Sequence, residues 1–145
     1  MEKKNINTEQ NDFMVNYEMK KNASFFVEFP EQFNIREWSL IKINKPKFKN
    51  GKWENIKMVF VDPIGPSTSE SLFEVIRYLK EKDRKNEFFL FNIAINSLDP
   101  TGVVIERWVI NVADVYIDFG DLNYKNDKIQ KVRMIVKPFD CYLKK

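Results

Sequence analysis

The chain has 145 residues, 43% of them apolar and including thirteen Phe, five Tyr and three Trp, enough for one domain of ordinary size with a packed core. Its 24 basic and 21 acidic residues leave a net charge of only +3, too small an excess for nucleic-acid binding, which needs basic residues concentrated on one face. There is no histidine and a single cysteine, Cys141. These counts remove the usual general base near neutral pH, the commonest zinc and iron ligand, every Ser-His-Asp or Cys-His arrangement and any disulfide within the chain.

Met1–Asn11 is polar and lacks a hydrophobic segment, so it reads as an arm or interaction tail and not as a signal peptide. The lone cysteine fits an intracellular folding compartment, and no apolar run approaches the ~20 residues of a membrane span. The organisation expected is a flexible arm over 1–22 and one domain over 23–145. Ser24–Phe29 alternates and is rich in aromatic residues, a strand ending at Pro30. Trp38–Ile43 reads as a second strand, with Pro46 closing it because proline cannot donate to a ladder. Lys49-Asn50-Gly51-Lys52 carries Asn-Gly, the pair a type I′ hairpin turn favours because both central residues need positive φ. Trp53–Val61 is the return strand.

Asp62-Pro63-Ile64-Gly65-Pro66 breaks the chain, and Ser67 with Glu70 offers a capping box. The helix that follows, about 68–82, places Leu72, Phe73, Val75, Ile76 and Leu79 on one stripe, which predicts a cover packed on a sheet. After a charged loop at Lys82–Glu87, the stretch Asn92–Leu143 is one β-ribbon system. It begins with Asn92–Leu98, most of which belongs to a strand read over Phe88–Ser97, and the turn Asp99-Pro100-Thr101-Gly102. Val103–Val112, a separate apolar run Val115–Phe119, a loop around Gly120, Asn123 and Asn126, and a last strand Ile129–Leu143 complete it. So much length spent on antiparallel edges, with no catalytic residue set, points to a chain built to join copies of itself.

Candidate sites weaken on inspection. Asp114, Asp118, Asp121, Asp127 and Asp140 lack the alternate spacing and closing Glu of a calcium loop and read as solvated carboxylates. The hydroxyls before the helix are explained by capping, and Cys141, with no partner motif, by packing. Trp53, Trp108, Phe119 and Tyr124 could stack on bases, but acidic neighbours such as Glu54, Glu106 and Asp118 favour core or subunit contacts. No catalytic, cofactor or metal residue is assigned, and no enzyme activity is expected.

The order of features resembles the tail tube proteins of phages with contractile tails, a fold shared by injection-system tubes and the haemolysin-coregulated proteins of type VI secretion. The residues that carry it are "SLDPTGVVIERWVI" at 97–110 and "NVADVYIDFGDLNYKNDKIQKVRMIVKPFDCYL" at 111–143. The resemblance spans about Ser24 to Leu143, firmly after Asn92. It implies a mainly β fold with one α-helix, as two packed antiparallel sheets forming a sandwich or small barrel. Six copies would form a ring by continuing their sheets, and rings would stack into a tube passing DNA or an effector. The implied setting is a virion tail assembled in the bacterial host cytoplasm. Implied partners are the chain itself, other tail, baseplate or sheath proteins, and DNA passing without sequence-specific binding, with no membrane. The hairpin of the first half implies lumen or inter-ring roles for Lys42, Lys45, Lys47, Lys49 and Lys52. Subunit packing would fall to Trp108, Phe119, Leu122, Tyr124 and Ile129. The segment between these hairpin strands is shorter than the family often has, so a tube initiator, terminator or tail-ring protein of the same fold fits as well. The alternative from another class is a β-barrel nucleic-acid- or peptide-binding module using Trp53, Trp108 and Tyr124 as platforms.

Overall fold

A computed structural model describes residues 19–82 and 90–144; most of the N-terminal arm and of the charged loop after the helix lie outside the described residues. The described strands are β1 (Phe25–Glu28), β2 (Leu40–Ile43), β3 (Phe48–Lys49), β4 (Lys52–Trp53), β5 (Ile56–Val61), β6 (Phe91–Leu98), β7 (Val104–Asp118) and β8 (Lys131–Lys144), and among the described residues one α-helix, α1 (Thr68–Glu81), lies between β5 and β6. Six strands form one antiparallel sheet in the order β1-β6-β7-β8-β5-β2, and β3 with β4 makes a separate two-stranded sheet. The described residues form a mainly β fold with one α-helix: a curled half-barrel and a small second sheet.

Alternation along the strands fills the concave side. Ile56, Met58 and Phe60 of β5 meet Val132, Met134 and Val136 of β8, and Phe91, Ile93 and Ile95 of β6 meet Ile110 and Val112 of β7. Leu72 and Val75 bring α1 onto the same cluster, and fully burying one such side chain stabilises the fold by about 1.5–3 kcal/mol. Phe33 packs edge-on against Tyr78 of the helix and Phe91 of β6, with ring centroids 5.3 and 5.1 Å away.

The helix starts as expected but is capped more heavily. Ser67 Oγ accepts the Glu70 N–H at 3.4 Å. Asp62 does more: it accepts the amides of Thr68 and Ser69 at 2.9 and 3.1 Å and the Ser69 hydroxyl at 2.5 Å. Burial alone would raise the Asp62 carboxyl, but these bonds outweigh it and hold the group below its ordinary value. The apolar stripe is narrower than expected. Phe73 is exposed because it sits one residue, roughly a quarter turn, from the buried Leu72.

Three boundaries differ from the sequence reading. The runs at 103–112 and 115–119 are one 15-residue strand, β7, with bulges between Asn111 and Asp114 that absorb the break in alternation. Trp38 belongs to a 3-10 turn (Glu37–Ser39), and the strand begins only at Leu40. The second hairpin strand is interrupted at Glu54 and Asn55, so the Asn-Gly turn heads a ribbon of its own. That turn has the expected geometry, with φ of 54° at Asn50 and 74° at Gly51. Where the ribbon leaves the sheet, the Asn44 side chain accepts the Lys57 N–H at 2.7 Å.

Candidate assembly surface

β7 and β8 pair with each other from Arg107↔Lys144 to Asp118↔Arg133, but each is covered on its other flank over only part of its length. β6 accompanies β7 as far as Val112, and β5 accompanies β8 only from Lys131 to Val136. Among the described residues, no strand is paired with the outer flank of residues 113–118 of β7 or of 137–144 of β8, although β4 lies close to β8. These open stretches are on opposite flanks and at opposite ends of the ribbon. At ~3.3 Å per residue they are roughly 20 and 26 Å long.

Both open flanks carry the same device. The Val115 N–H donates to Asp114 Oδ1 and the Cys141 N–H to Asp140 Oδ1, each at 2.9 Å. A carboxylate supplied by the preceding residue stands where a neighbouring carbonyl would. These two aspartates are therefore edge groups, a role that spacing alone does not reveal.

Exposed apolar side chains gather at the two ends of the ribbon. Beyond the open end of β7 lie Tyr116, Phe119, Leu122, Tyr124 and Ile129, with Leu122 85% and Ile129 74% exposed. Around the open end of β8 lie Ile105, Phe139, Tyr142 and Leu143. Exposed apolar groups gathered in this way mark interaction surfaces. The loop between β7 and β8 holds its shape through side chain to backbone bonds: Gly120 N–H to Asp118, Lys125 N–H to Asn123 and Lys128 N–H to Asn126, at 2.8–3.0 Å. It borders an open cavity of about 740 Å³ that reaches Lys131 and Arg133. Gly120 has φ +89°, and a Cβ there would sit 2.9 Å from the Lys131 carbonyl oxygen.

Trp108 lies apart from Phe119, Leu122, Tyr124 and Ile129. It is half-buried and packs edge-on against Trp53 at 6.1 Å, which packs against Phe48 at 5.0 Å. Its indole N–H donates to Glu106 Oε1 at 3.1 Å. Glu106 also accepts from Lys20, and from Lys45 at 2.7 Å; these two lysines hold its carboxyl down at about 2. Of the five lysines singled out, Lys45 is thus tied to Glu106, Lys42 projects from β2, and Lys47, Lys49 and Lys52 are exposed on or beside the small ribbon, with Lys49 opposite Lys52. Among the described residues, no three His, Cys, Asp or Glu side chains are grouped to hold a metal ion. No helix of the described residues is long and apolar enough to cross a membrane.

No protein-family model matches the sequence, and no curated protein is similar to it at a significant level. Solved structures are similar. A component of the anti-feeding prophage baseplate, from a 6-fold symmetrised structure, has a TM-score of 0.54 at 12% identity, covering 88% of this chain and 97% of that one. A component of the anti-feeding prophage tube-terminating cap also scores 0.54, at 11% identity and 88% and 92% coverage. A component of the sheath/tube terminator of PVC, an extracellular contractile injection system, scores 0.52 at 12% identity, covering 89% and 98%. At these identities what is shared is the fold, and it runs through nearly the whole of each chain.

Proposed function

We propose that the chain is a non-catalytic structural subunit of a phage tail tube or tail ring, or of the matching part of a contractile injection system. Copies join edge to edge into a six-membered ring whose opening passes DNA or an effector. The observation that carries this reading is the pair of open flanks on the β7–β8 ribbon. The β7 flank of one copy and the β8 flank of the next run antiparallel, so each completes the other's ladder. The two flanks differ, which makes the contact head-to-tail, the kind that closes into rings. Their offset along the ribbon is matched when strands tilt against the ring axis, as they do in closed barrels.

The fold held in common with baseplate, cap and terminator components supports the same reading. In it Phe119, Leu122, Tyr124 and Ile129 pack beside the joint, Trp108 braces the opposite end of the ribbon, and Lys42, Lys45, Lys47, Lys49 and Lys52 face the lumen or the next ring. Partners are further copies and other tail, baseplate or sheath proteins, in a virion tail assembled in the bacterial host cytoplasm. Because Trp53 and Trp108 pack edge-on against each other and are half-buried, a base-stacking module loses two of its three platforms. Electron microscopy of the purified full chain tests the proposal. Class averages should show closed rings with six-fold symmetry; a chain that stays monomeric at high micromolar concentration overturns it.

A further inference from the structure

The backbone of the two open flanks fixes which residues can meet there. Along a strand, the face a side chain takes and the flank its N–H and C=O groups take alternate together. The Leu90 N–H donates to the Val112 carbonyl at 2.6 Å, so Val112, buried on the concave face, turns its backbone groups to the β6 flank. Beyond the bulge Val115 and Ile117 pack against the core. Their N–H and C=O groups therefore point to the same flank, past the end of β6, and the Val115 N–H held by Asp114 agrees. On β8, Val132, Met134 and Val136 are buried and pair with β5. The ladder skips Phe139, after which the buried Cys141 resumes that face, with Leu143 two residues on. The Cys141 N–H, bonded to Asp140, points out of the β8 flank, and by alternation so does that of Leu143.

We propose, on the reading that copies join edge to edge, that the joint has a single register. Val115 stands opposite Leu143 of the next copy and Ile117 opposite its Cys141, with Tyr116 meeting Tyr142 between them. Outward backbone groups must face one another to bond, so concave residues oppose concave residues and the register shifts only in steps of two. One step inward would set Lys144 opposite Val112, a place that Phe91 already holds. The same step would bring Phe139, where the ladder is irregular, opposite Ile117. One step outward sets residues 142–144 opposite 116–118 and leaves Asp114 and Val115 beyond the described end of β8. The register between these two engages all of 114–118 with 140–144.

The side chains agree with this placement. Tyr116 and Tyr142 are 60% and 46% exposed. In this register they form a non-hydrogen-bonded pair, the closer kind, with Cα atoms about 4.5 Å apart, and aromatic pairs directly opposite stabilise a sheet. At one end Asp114 meets Lys144, an exposed ion pair of complementary sign that adds little. At the other Asp118 meets Asp140, and Arg133, opposite Asp118 in its own chain, sets a cation beside that pair. β4 comes close to β8 but pairs only with β3, and Trp53 turns into the core cluster.

Disulfide formation in the assembled full chain tests the register, Cys141 being buried. Tyr116→Cys/Tyr142→Cys is compared with Tyr116→Cys/Asp140→Cys and Tyr116→Cys/Lys144→Cys, which report the inward and outward steps. Within one chain Tyr116 lies opposite Ile135, roughly 20 Å along β8 from Tyr142, too far for a bond inside a copy. The 116/142 pair should give covalent products of two to six chains, at least about tenfold more than either shifted pair. A shifted pair that bonds as well, or rings in which no pair bonds, overturns the register while the ring reading stands. Absence of rings in the unaltered chain overturns both. Amide exchange in the unaltered chain supplies a measurement free of substitutions. On assembly the amides of Val115, Ile117, Cys141 and Leu143 should slow at least about tenfold, while those of Tyr116 and Tyr142, turned into their own ribbon, change less. Slowing at Cys141 without Leu143 overturns the register.

Discussion

Asp114 and Asp140 perform the same act on opposite flanks of one ribbon, each accepting at 2.9 Å the N–H of the residue that follows it. An unpaired strand edge is a template for another strand, and charged side chains placed on it restrain that pairing. Each carboxylate satisfies its amide in the single chain and competes with any incoming carbonyl. A joint between the β7 flank of one copy and the β8 flank of the next contains both positions. Replacing both in Asp114→Ala/Asp140→Ala frees two amides per joint. At about 1 kcal/mol for each bond, self-association should tighten about thirtyfold, as measured by sedimentation velocity. Unchanged association would show that copies do not meet on these flanks.

The exposed loop and Trp108 should separate assembly from stability. Leu122 and Tyr124 project from the β7–β8 loop into solvent, so Leu122→Ser/Tyr124→Ser should change unfolding free energy by no more than about 0.5 kcal/mol while abolishing rings in electron micrographs. Trp108→Ala removes the middle of an internal contact series running from Glu106 to Trp53. It should cost about 2–3 kcal/mol in urea unfolding, below the range for fully buried tryptophan because the ring is half-buried. If the serine pair destabilised the single chain as much as Trp108→Ala, the loop would be serving its own subunit and not a neighbour.

Much of this architecture was legible in local pattern. The Asn50-Gly51 turn follows from the positive φ both positions need, and α1 from its period and cap. β5 and β8 follow from alternation such as Ile56, Met58, Phe60 and Val132, Met134, Val136. What local pattern did not give depends on register. The break at Ala113 reads as the end of one strand, yet the ladder continues through bulges because β8 runs unbroken opposite it. Asp62 caps α1 from across a proline-containing loop, a contact no sequence spacing rule covers. The open flanks were illegible for the same reason. They arise from where β6 and β5 stop, not from the residues of β7 and β8 themselves.

Gly120 and Gly102 allow backbone conformation to be separated from steric contact. Both have strongly positive φ, 89° and 88°, but a Cβ at Gly120 would meet the Lys131 carbonyl oxygen at 2.9 Å while one at Gly102 would meet nothing within 4 Å. Gly102→Ala should cost about 1 kcal/mol, from the left-handed conformation alone. Gly120→Ala should cost about 2–3 kcal/mol, because the β7–β8 loop must also shift away from β8. Thermal unfolding of the two variants side by side checks this. Equal losses would mean that the loop yields freely at its entry.

Burial, and after it the charge of Asp140, push the Cys141 thiol up to about 12. A thiol raised in the folded state stays neutral there while the unfolded chain ionises above about 8.5. Its contribution to stability is therefore complete below that pH and falls as pH rises from there toward 12. At pH 8 the native thiol should react with a maleimide at least about a hundredfold more slowly than in urea. Comparable rates would mean that the end of β8 opens readily in the single chain.

Glu106 should make stability depend on pH in the acid range. Lys20 and Lys45 hold its carboxyl at about 2, against an ordinary 4.5. A carboxyl lowered by folding stabilises the native state fully above its unfolded value, and that contribution is lost as pH falls through about 2. Both lysines are half exposed, which keeps the effect of Glu106→Gln at pH 7 to about 1–2 kcal/mol. The gap between the two proteins, read from urea midpoints at pH 7, 4.5, 3 and 2, should hold steady above pH 4.5 and close toward pH 2. The lysines approach from the segment before β1 and from the connection between β2 and β3. Acid should therefore expose both connections to an acid-active protease sooner in the unaltered protein at pH 2 than at pH 4.5, and equally soon at both in Glu106→Gln. A gap that did not change across this range would mean that Glu106 is not held by the two lysines in solution.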